Sequence, residues 1–298
     1  MGASDQAEDS LSIPPEWEQL PLSQWQSKPV LLLGATDTGK SSLGRYLFER
    51  LQAASAPTAY LDLDPGQNSL GPPTSIGLGV PHAAERRFPP SGRRWLYFTG
   101  NNTPRGQLLR HLEGLHILHR LAWNQGCRHL LVNSSGFIDP DQGGQALKWA
   151  VVDQLRPCVI ISLQRNAEMA ALLAPVCRLP DVTVIQLKAS PAVTRRSQTQ
   201  RRENRAGSYR RYFRDAQRYS FYYRDIAVFP RPRFTPGQLV AIEENNGLAA
   251  AVAVVTETEP ERGTVTLFSP VDPSRYPITA LRLGVVRLHL ESWQDSPI

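Results

Sequence analysis

One stretch decides the fold of this chain: Val30-Leu31-Leu32-Leu33-Gly34-Ala35-Thr36-Asp37-Thr38-Gly39-Lys40-Ser41-Ser42-Leu43-Gly44-Arg45-Tyr46-Leu47. The unbroken apolar run at its start is typical of a parallel strand that is buried on both faces. The apolar residues Leu43, Tyr46 and Leu47 then recur at the spacing of a helix. Between the two segments lies the pattern G-x-x-x-x-G-K-S, so the stretch predicts a strand, a glycine-bracketed loop and a helix.

The glycine-bracketed loop has the chemistry of a phosphate-binding site. Gly34 and Gly39 allow the backbone to curl so that successive N–H groups point at one anion, at a helix N-terminus that already favours negative charge. Lys40 would reach the β and γ phosphates of a nucleotide, and Ser41 would offer its hydroxyl to a Mg²⁺ ion that bridges the same phosphates. The loop therefore predicts binding of a nucleoside triphosphate.

Length and composition limit the class of protein. A chain of 298 residues can hold one large α/β domain and a smaller unit. The content of hydrophobic residues is 41%, and no apolar run approaches eighteen residues, which predicts a soluble protein that does not enter a membrane. The small, polar and acidic start, 1–9, resembles neither a signal peptide nor a transit peptide, so a cytoplasmic or, in a nucleated cell, nuclear location is expected. The three cysteines, Cys127, Cys158 and Cys177, are predicted to be buried thiols in a reducing compartment.

The positive charge of the chain is concentrated in one segment. The net charge is +6, and nine arginines lie between Arg195 and Arg218, against only Glu203 and Asp215. The rest of the chain is close to neutral. This distribution indicates a polyanionic partner that meets the protein at one place.

Strand-like and helix-like segments alternate over most of the chain. A second strand is predicted to run from Thr58 into an acidic turn that ends at Gln67, and further strands are predicted at Trp95–Thr99, Leu130–Asn133, Cys158–Leu163 and Val182–Leu187. A leucine-striped helix of Leu108, Leu112, Leu115, Leu118 and Ala122 follows the third strand, and its His111, His116 and His119 are predicted to be solvated. Helices are also predicted at Gly144–Leu155, at Ala167–Leu173 and through the arginine segment. The alternation favours a doubly wound parallel sheet, with the polar turns in one crevice at the carboxyl ends of the strands.

Three regions depart from this alternation. Residues 1–28 have no periodicity and are expected to form a tail that packs through Trp17 and Trp25. The region Ser69–Arg94 is rich in glycine and proline and is predicted to be a long loop or an irregular excursion. From about Ile226 the pattern changes to short β-type runs, which predict a small β-rich unit.

An acidic turn follows the second strand, Asp62-Leu63-Asp64-Pro65-Gly66-Gln67. Its two carboxylates lie two residues apart and so share one face of the strand. Beside a phosphate loop, one carboxylate can hold a Mg²⁺-bound water or accept the proton of an attacking hydroxyl, and Gln67 can orient either. The alternative interpretation is that an Asp-Pro-Gly turn simply closes the strand.

A phosphate loop alone does not distinguish a GTPase, an ATPase motor and a kinase. Guanine specificity usually appears as an N-K-x-D turn, whereas the late strand here ends in Leu187-Lys188-Ala189-Ser190, which weighs against a GTPase. No feature of the sequence indicates a motor. A small-molecule kinase stays open as an alternative.

In combination, the motifs of this chain resemble those of a known family, the polynucleotide 5′-hydroxyl kinases related to the messenger-RNA cleavage-factor kinase and the pre-ribosomal-RNA processing kinases. The resemblance runs from about Val30 to Phe213 and, more loosely, through the β-rich C-terminus. It rests on G-x-x-D-x-G-K-S, D-x-D-x-G-Q, Thr99-Gly100 before the leucine-striped helix, Asn133-Ser134-Ser135-Gly136-Phe137 and the arginine segment.

The resemblance implies a role for each matched position. Asp64 looks like the general base for the incoming 5′-hydroxyl, and Asp62 looks like a helper on the metal side. Residues 99–103 would match the clasp that grips the acceptor, and Arg201 and Arg205 look like lid arginines that close over the triphosphate, with Arg196 and Arg202 as alternatives. The residues implied to bind ATP are Gly34, Ala35, Thr36, Asp37, Thr38, Gly39, Lys40, Ser41 and Ser42; to hold Mg²⁺, Ser41, Asp62 and Asp64; and to contact the acceptor, Gln67, Thr99, Gly100, Asn101, Thr103, Phe137 and Arg202.

Two departures from the family pattern affect details. Phe137 stands where the family often has tryptophan. A phenyl ring can still stack on a terminal base, but the preference for the first base of the acceptor can differ. An ordinary role of Phe137 in the hydrophobic core is equally compatible with the sequence. The N-terminal β-domain of the eukaryotic relatives is missing, which favours a minimal, prokaryotic-type member.

The expected organisation is a tail (1–28), a P-loop kinase domain (29–224) with its lid at about 190–218, and a β-rich C-terminal domain (225–298).

The sequence thus predicts an α/β P-loop NTPase fold with a doubly wound, mostly parallel sheet, an Arg-rich helical lid and a small β-rich C-terminal domain. The function hypothesis is an ATP- and Mg²⁺-dependent kinase acting on single-stranded or end-exposed RNA or DNA with a 5′-hydroxyl, held mainly through its phosphates. The alternatives are an ATP-binding scaffold of a nucleic-acid-processing complex, or another P-loop NTPase or small-molecule kinase. The intact set of Lys40, Ser41, Asp64 and arginines favours the enzyme over the scaffold.

Overall fold

The computed structural model describes residues 13–25, 28–54, 57–83 and 85–298, so half of the predicted tail, 1–12 and 26–27, lies outside the described residues. The helices are α1 (Pro15–Glu18), α2 (Lys40–Ala53), α3 (Leu108–Asn124), α4 (Gly144–Leu155), α5 (Ala170–Val176) and α6 (Gln198–Tyr212). The strands are β1 (Pro29–Gly34), β2 (Thr58–Leu63), β3 (Ser75–Val80), β4 (Arg93–Phe98), β5 (His129–Ser134), β6 (Val159–Gln164), β7 (Thr183–Lys188), β8 (Gln217–Tyr222), β9 (Ala227–Phe229), β10 (Gln238–Glu244), β11 (Ala249–Glu259), β12 (Thr264–Ser269), β13 (Ile278–Leu288) and β14 (Asp295–Pro297).

Five parallel strands form the centre of the sheet, in the order β2-β5-β1-β6-β7. Leu31 of β1 pairs with Val132 on one side and Ile160 on the other, so the phosphate-loop strand is central and buried on both faces. Helix α2 covers one face of the sheet, and α3, α4 and α5 cover the other. The predicted doubly wound, mostly parallel α/β fold is therefore confirmed.

The tail packs where its tryptophans are. Trp17 and Trp25 are buried in the same cluster as Leu43 and Leu47 of α2 and residues of the strands, so the described part of the tail packs on the sheet face that α2 covers. Gly44 lets α2 lie close to the sheet, because a Cβ atom there would come within 2.8 Å of the Tyr60 hydroxyl.

The predicted long loop at 69–94 was wrong in part, because it contains strand β3. This strand pairs antiparallel with both β2 and β4, so β4 is also antiparallel to the central set. Gly77 and Gly79 interrupt the β pattern in the sequence, and packing explains them: added Cβ atoms would approach Leu70 at 3.0 Å and Pro90 at 2.6 Å. Glycine is used here for close packing and not for a turn.

Two predictions about single side chains were also wrong. His111 is buried, with 1% of its surface exposed, because it lies beside the apolar stripe of α3 where that helix packs on the sheet, and burial lowers its pKa to about 3. Of the three cysteines, only Cys127 is buried; Cys158 is half-buried, and Cys177 is exposed because it follows the last turn of α5.

The β-rich C-terminal unit extends the same sheet. Strand β11 pairs with β4 at Ala249 and Leu96, and β10, β13 and β14 continue outward from β11. Strand β8 lies before the expected domain boundary at 225, yet it pairs with β12 of the C-terminal unit. None of the helices in the described ranges has both the length and the apolar character needed to cross a membrane.

Candidate active site

The candidate active site lies at the carboxyl ends of the parallel strands, where the loops after β1, β2 and β5 meet. Two adjoining cavities occupy this edge, one of about 670 Å³ and one of about 290 Å³. The smaller is lined largely by the phosphate loop, whereas the larger is lined by parts of the phosphate loop, the acidic turn, the clasp, the turn after β5, the loop after β6 and the arginine segment. Both cavities are lined by Thr36, Asp37, Asp64, Gln67 and Gly136, so these residues form a shared wall.

The phosphate loop has the backbone that its sequence requires. Gly39 has a φ of 96°, in the left-handed region, and Gly34 lies so close to β6 that a Cβ atom would be 2.3 Å from the carbonyl oxygen of Leu163. Lys40 is buried, and its Nζ donates a hydrogen bond of 2.7 Å to the carbonyl of Ala35. Burial lowers the pKa of Lys40 to about 8, although the nearby carboxylates of Asp64, Asp37 and Asp62 act in the opposite direction. The loop therefore concentrates N–H groups and one cation around the smaller cavity.

The two carboxylates of the acidic turn have different surroundings. Asp62 is only 1% exposed, and burial raises its pKa to about 6. Its Oδ1 accepts hydrogen bonds from Asp64 N and Asn133 Nδ2, and its Oδ2 accepts from the backbone N–H and the hydroxyl of Ser69. The Asn133 amide also donates to the Ser41 hydroxyl at 3.3 Å, which links Asp62 to Ser41 through one side chain.

Asp64 faces the site. Its Oδ1 accepts hydrogen bonds from the backbone N–H groups of Gly66 at 2.9 Å and Gln67 at 3.2 Å. Within the described residues its Oδ2 accepts no hydrogen bond, and the side chain lines both cavities. Asp64 thus has one oxygen fixed by the turn and one available at the boundary between the cavities.

The residues around Ser41 have the chemistry of a magnesium site. Hydroxyl and carboxylate oxygens are the ligands that Mg²⁺ prefers, and Mg²⁺ usually keeps several waters and uses substrate phosphates as ligands. Across the described ranges, no three His, Cys, Asp or Glu side chains are grouped so as to hold a metal by themselves. Because both oxygens of Asp62 already accept two hydrogen bonds each, it fits contact with a metal-bound water better than direct ligation. Asn133 Oδ1, which is buried without a hydrogen-bond partner, offers an acceptor for such a water.

The turn after β5 joins the phosphate loop to the larger cavity. Gly136 touches Thr36, where a Cβ atom would lie 2.4 Å from the Thr36 hydroxyl oxygen, and Phe137 lines the larger cavity while packing partly on the core. Beneath this turn, Lys148 of α4 donates from Nζ to the Ser135 carbonyl at 2.6 Å and to the Ser135 hydroxyl at 3.0 Å. Lys148 is 1% exposed, and burial lowers its pKa to about 7. This lysine was not foreseen from the sequence, because an isolated lysine in an apolar helix carries no motif.

The predicted clasp residues separate into two groups. Thr103 and its neighbour Asn102 line the larger cavity, whereas Thr99, Gly100 and Asn101 do not. The buried Thr99 hydroxyl donates to the carbonyl of Thr74 at 2.9 Å, and the carbonyl of Gly100 accepts a hydrogen bond of 2.8 Å from the N–H of Val285 in β13. These contacts hold the loop in shape and attach it to the C-terminal unit.

The arginine segment forms α6, whose first turn is fixed by a capping box between Ser197 and Gln200. Arg201 and Arg205 lie one turn apart, and both line the larger cavity. Arg201 forms an ion pair of 2.8 Å with Asp37, and Arg205 forms one of 2.6 Å with Asp295 of β14. Arg202 is exposed and lines neither cavity, whereas Arg195 lines the larger cavity and Arg196 the smaller. Asp295 was not foreseen, because it lies far from every motif in the sequence.

The fold and the site define a P-loop nucleotide-binding protein whose central sheet continues into a β-rich C-terminal unit. Residues 34–215, more than half of the chain, match the family described as the mRNA cleavage and polyadenylation factor CLP1 P-loop, and the chain belongs to that family. The resemblance seen in the motifs is therefore confirmed.

Several relatives carry kinase names. A polyribonucleotide 5′-hydroxyl-kinase of Methanocaldococcus jannaschii is 26% identical over 199 residues, which is 67% of this chain and 54% of that protein. One from Pyrococcus abyssi is 29% identical over 199 residues, with the same shares covered. The chain spans about half the length of the curated relatives it matches.

A solved structure has the same fold. The complex of wild-type Clp1p with residues 454–563 of Pcf11p superposes with a TM-score of 0.69 at 17% identity, covering 91% of this chain and 77% of the Clp1p chain. At this identity the similarity is one of fold.

Proposed function

We propose that this chain is an ATP- and Mg²⁺-dependent polynucleotide 5′-hydroxyl kinase. The observation that carries the proposal is the position of Asp64, which lines both cavities at once: a smaller one bounded by the phosphate loop and a larger one bounded by the lid arginines and Phe137. A triphosphate in the first and a nucleic-acid end in the second would meet at this carboxylate. The kinase names of the relatives support the same assignment and favour RNA as the acceptor.

The proposed step is a phosphoryl transfer. Asp64 Oδ2 accepts the proton of the 5′-hydroxyl, the 5′ oxygen forms a bond to the γ phosphorus, the bond from that phosphorus to the β–γ bridging oxygen breaks, and ADP leaves. Lys40 and Arg201 stabilise the charge that spreads over the transferring group, since this chemistry depends mainly on positioning and electrostatics. When bound at Ser41, with Asp62 and Asn133 behind it, Mg²⁺ would neutralise charge on the β and γ phosphates.

The acceptor strand is proposed to enter the larger cavity. Gln67 and Thr103 line that cavity and can donate hydrogen bonds to the end nucleotide, and Phe137 offers a ring for stacking on its base. The exposed arginines of α6 would hold the following phosphates, which makes binding sensitive to salt. The packing of Thr99, Gly100 and Asn101 suits a supporting role in the clasp.

We also propose that the chain divides into a tail (1–28), a kinase domain (29–224) and a C-terminal domain (225–298). We further propose a cytoplasmic location, because a kinase of this type uses ATP and RNA as substrates.

The test is transfer of γ-labelled phosphate from ATP to a short 5′-OH RNA and to its DNA counterpart. Wild type is expected to label the RNA, and Lys40→Ala and Asp64→Asn are expected to abolish the product. Lys28→Ala and Asp181→Asn serve as matched controls, since both side chains are exposed and away from the site. ATP binding without label on either oligonucleotide would contradict the kinase and favour an ATP-binding scaffold. Label on a nucleoside or other small molecule alone would favour a small-molecule kinase.

A further inference from the structure

We propose that Asp295, on the last strand, is a positioning residue that couples nucleotide binding to acceptor binding by holding the lid residue Arg205 and the cavity residue Asn102 on one carboxylate. This inference rests on the proposed kinase function. It gives the C-terminal β unit a part in the site that the motifs do not supply.

The contacts on Asp295 are short and directional. Arg205 donates from Nε to Oδ2 at 2.6 Å and from Nη2 to Oδ1 at 2.8 Å, a side-on, two-point ion pair. The Asn102 amide donates to the same Oδ2 at 2.7 Å. The side chain of Asp295 is 2% exposed and that of Arg205 is 14% exposed, so solvent screens the pair little. A two-point pair of this kind fixes the direction of the guanidinium as well as its distance.

Both partners of Asp295 belong to the cavity. Arg205 and Asn102 line the larger cavity, one from the lid helix and one from the clasp loop. A guanidinium has five N–H groups, and Asp295 uses two of them. Within the described residues the remaining N–H groups of Arg205 donate no hydrogen bond, so they can bind a phosphate while the ion pair stays intact. One turn earlier on the same helix, Arg201 pairs with Asp37 on the wall that the two cavities share, which connects the lid helix to the nucleotide side. A displacement of the lid would move the clasp through the shared oxygen.

The strand that carries Asp295 is itself anchored to both elements. Strand β14 pairs antiparallel with β13, whose Val285 donates to the carbonyl of Gly100 in the clasp loop. Just before β14, the Trp293 ring stacks on Phe213 at the end of the lid helix, with 6.1 Å between ring centroids and 22° between ring planes. The geometry therefore supports a rigid connection from the lid to the clasp through the C-terminal strands.

The experiment measures coupling between the two ligands directly. The affinity for a fluorescent 5′-OH RNA is determined with and without a non-hydrolysable ATP analogue, in wild type, Asp295→Asn and the control Asp272→Asn. Asp272 is a carboxylate of the same unit whose partners, Ser274 and Arg275, lie outside the site. The analogue is expected to tighten RNA binding by about fivefold or more in wild type and Asp272→Asn, within the usual range of coupling between sites. In Asp295→Asn the factor is expected to fall close to one.

The affinity for the analogue alone separates coupling from simple damage to the fold. It is expected to change by less than about threefold in Asp295→Asn, because the phosphate loop does not contact Asp295; a general loss of structure would weaken both ligands. If Asp295→Asn does not fold, Asn102→Ala removes the clasp contact and leaves the ion pair in place, and it is expected to reduce the coupling factor as well. Equal coupling in wild type and either folded variant, or no coupling in wild type, would overturn the inference. Failure of the kinase proposal is seen separately, as absence of label transfer by wild type.

Discussion

Nη2 of Arg201 lies 2.8 Å from Oδ2 of Asp37, so the lid helix is joined to the phosphate loop by an ion pair. The backbone N–H of Arg196 donates to the same oxygen at 3.0 Å. Partial burial of Asp37 acts to raise its pKa, but the hydrogen bonds from Arg201 and Arg196 outweigh it, and the pKa is lowered. Asp37 is therefore charged at neutral pH and keeps a lid arginine beside the loop that is proposed to hold the triphosphate.

Replacing Arg201 tests whether this cation acts on the transferring phosphate. We expect Arg201→Ala to lower kcat about 100-fold to 1000-fold, as does removal of one preorganised charge-stabilising group in other enzymes. Arg201→Lys is expected to recover part of the rate, since it keeps the charge but not the planar donors. Steady-state kinetics with ATP and 5′-OH RNA give the comparison, with the exposed Arg262→Ala as the control. A kcat within a factor of about two of wild type for Arg201→Ala would rule out this role.

Asn133 offers a test of the proposed magnesium site. Its amide binds both Asp62 and Ser41, so Asn133→Ala removes the link between them. Loss of such a supporting contact typically weakens metal affinity by about 10-fold to 100-fold. We expect the Mg²⁺ concentration for half-maximal rate to rise by at least about tenfold, with rate recovered at high Mg²⁺. Asn124→Ala, at an exposed helix end, is the control; an unchanged Mg²⁺ requirement in Asn133→Ala contradicts the assignment.

Lys148 makes stability depend on pH in a way that a single substitution isolates. Burial lowers its pKa to about 7 in the folded chain, whereas an exposed lysine has a pKa of about 10.4. Between these values the unfolded chain holds one proton more than the folded chain, so the contribution of Lys148 to stability rises with pH and is lost as the pH falls toward 7.

Wild type is therefore expected to gain stability relative to Lys148→Met by up to about 1.4 kcal/mol per pH unit in this window. Urea unfolding at pH 7.5 and pH 9.5 measures the difference, and Lys28→Met, which removes an exposed lysine, should follow wild type. Parallel pH profiles for wild type and Lys148→Met would show that the lysine is charged in the folded protein.

Phe137 can be tested as the platform for the terminal base. We expect Phe137→Ala to raise KM for a 5′-OH RNA by about 5-fold to 150-fold, the loss of about 1–3 kcal/mol of stacking, and Phe137→Trp to keep or lower it. The decisive comparison uses an RNA whose first nucleotide lacks its base. If the ring stacks on that base, wild type and Phe137→Ala should have similar KM values for this acceptor. A full effect of Phe137→Ala on the abasic RNA would assign Phe137 to the core instead.

Local motifs predicted the central part of this protein well. The phosphate loop, the strands that flank it and the arginine-rich helix were all foreseen, because each depends on residues close together in the chain. Helix α4 was predicted with the bounds it has, from Gly144 to Leu155. The alternation of strands and helices was enough to give the parallel sheet.

What the sequence did not reveal depends on packing between distant segments. Strand β3 was not predicted because Gly77 and Gly79 interrupt its β pattern. Their role, close packing against Leu70 and Pro90, can be recognised only in the folded structure. His111 was expected to be a solvated helix residue and Lys148 carried no motif, and only the packing of α3 and α4 buries them. Asp295 reaches Asn102 across 193 positions of the chain, a distance at which no sequence pattern connects two residues.

The pairing of Ala249 with Leu96 affects the risk that the chain aggregates while it folds. Until β11 is in place, β4 is an open edge whose free N–H and C=O groups can template the addition of a strand from another molecule. The charges of Arg93 and Arg94 disfavour such pairing at the start of β4. The apolar end of the strand, up to Phe98, carries no charge and stays open to pairing until the C-terminal unit docks. The C-terminal strands thus also act as a cover against aggregation during synthesis, and chains interrupted before Ala249 would leave that edge open.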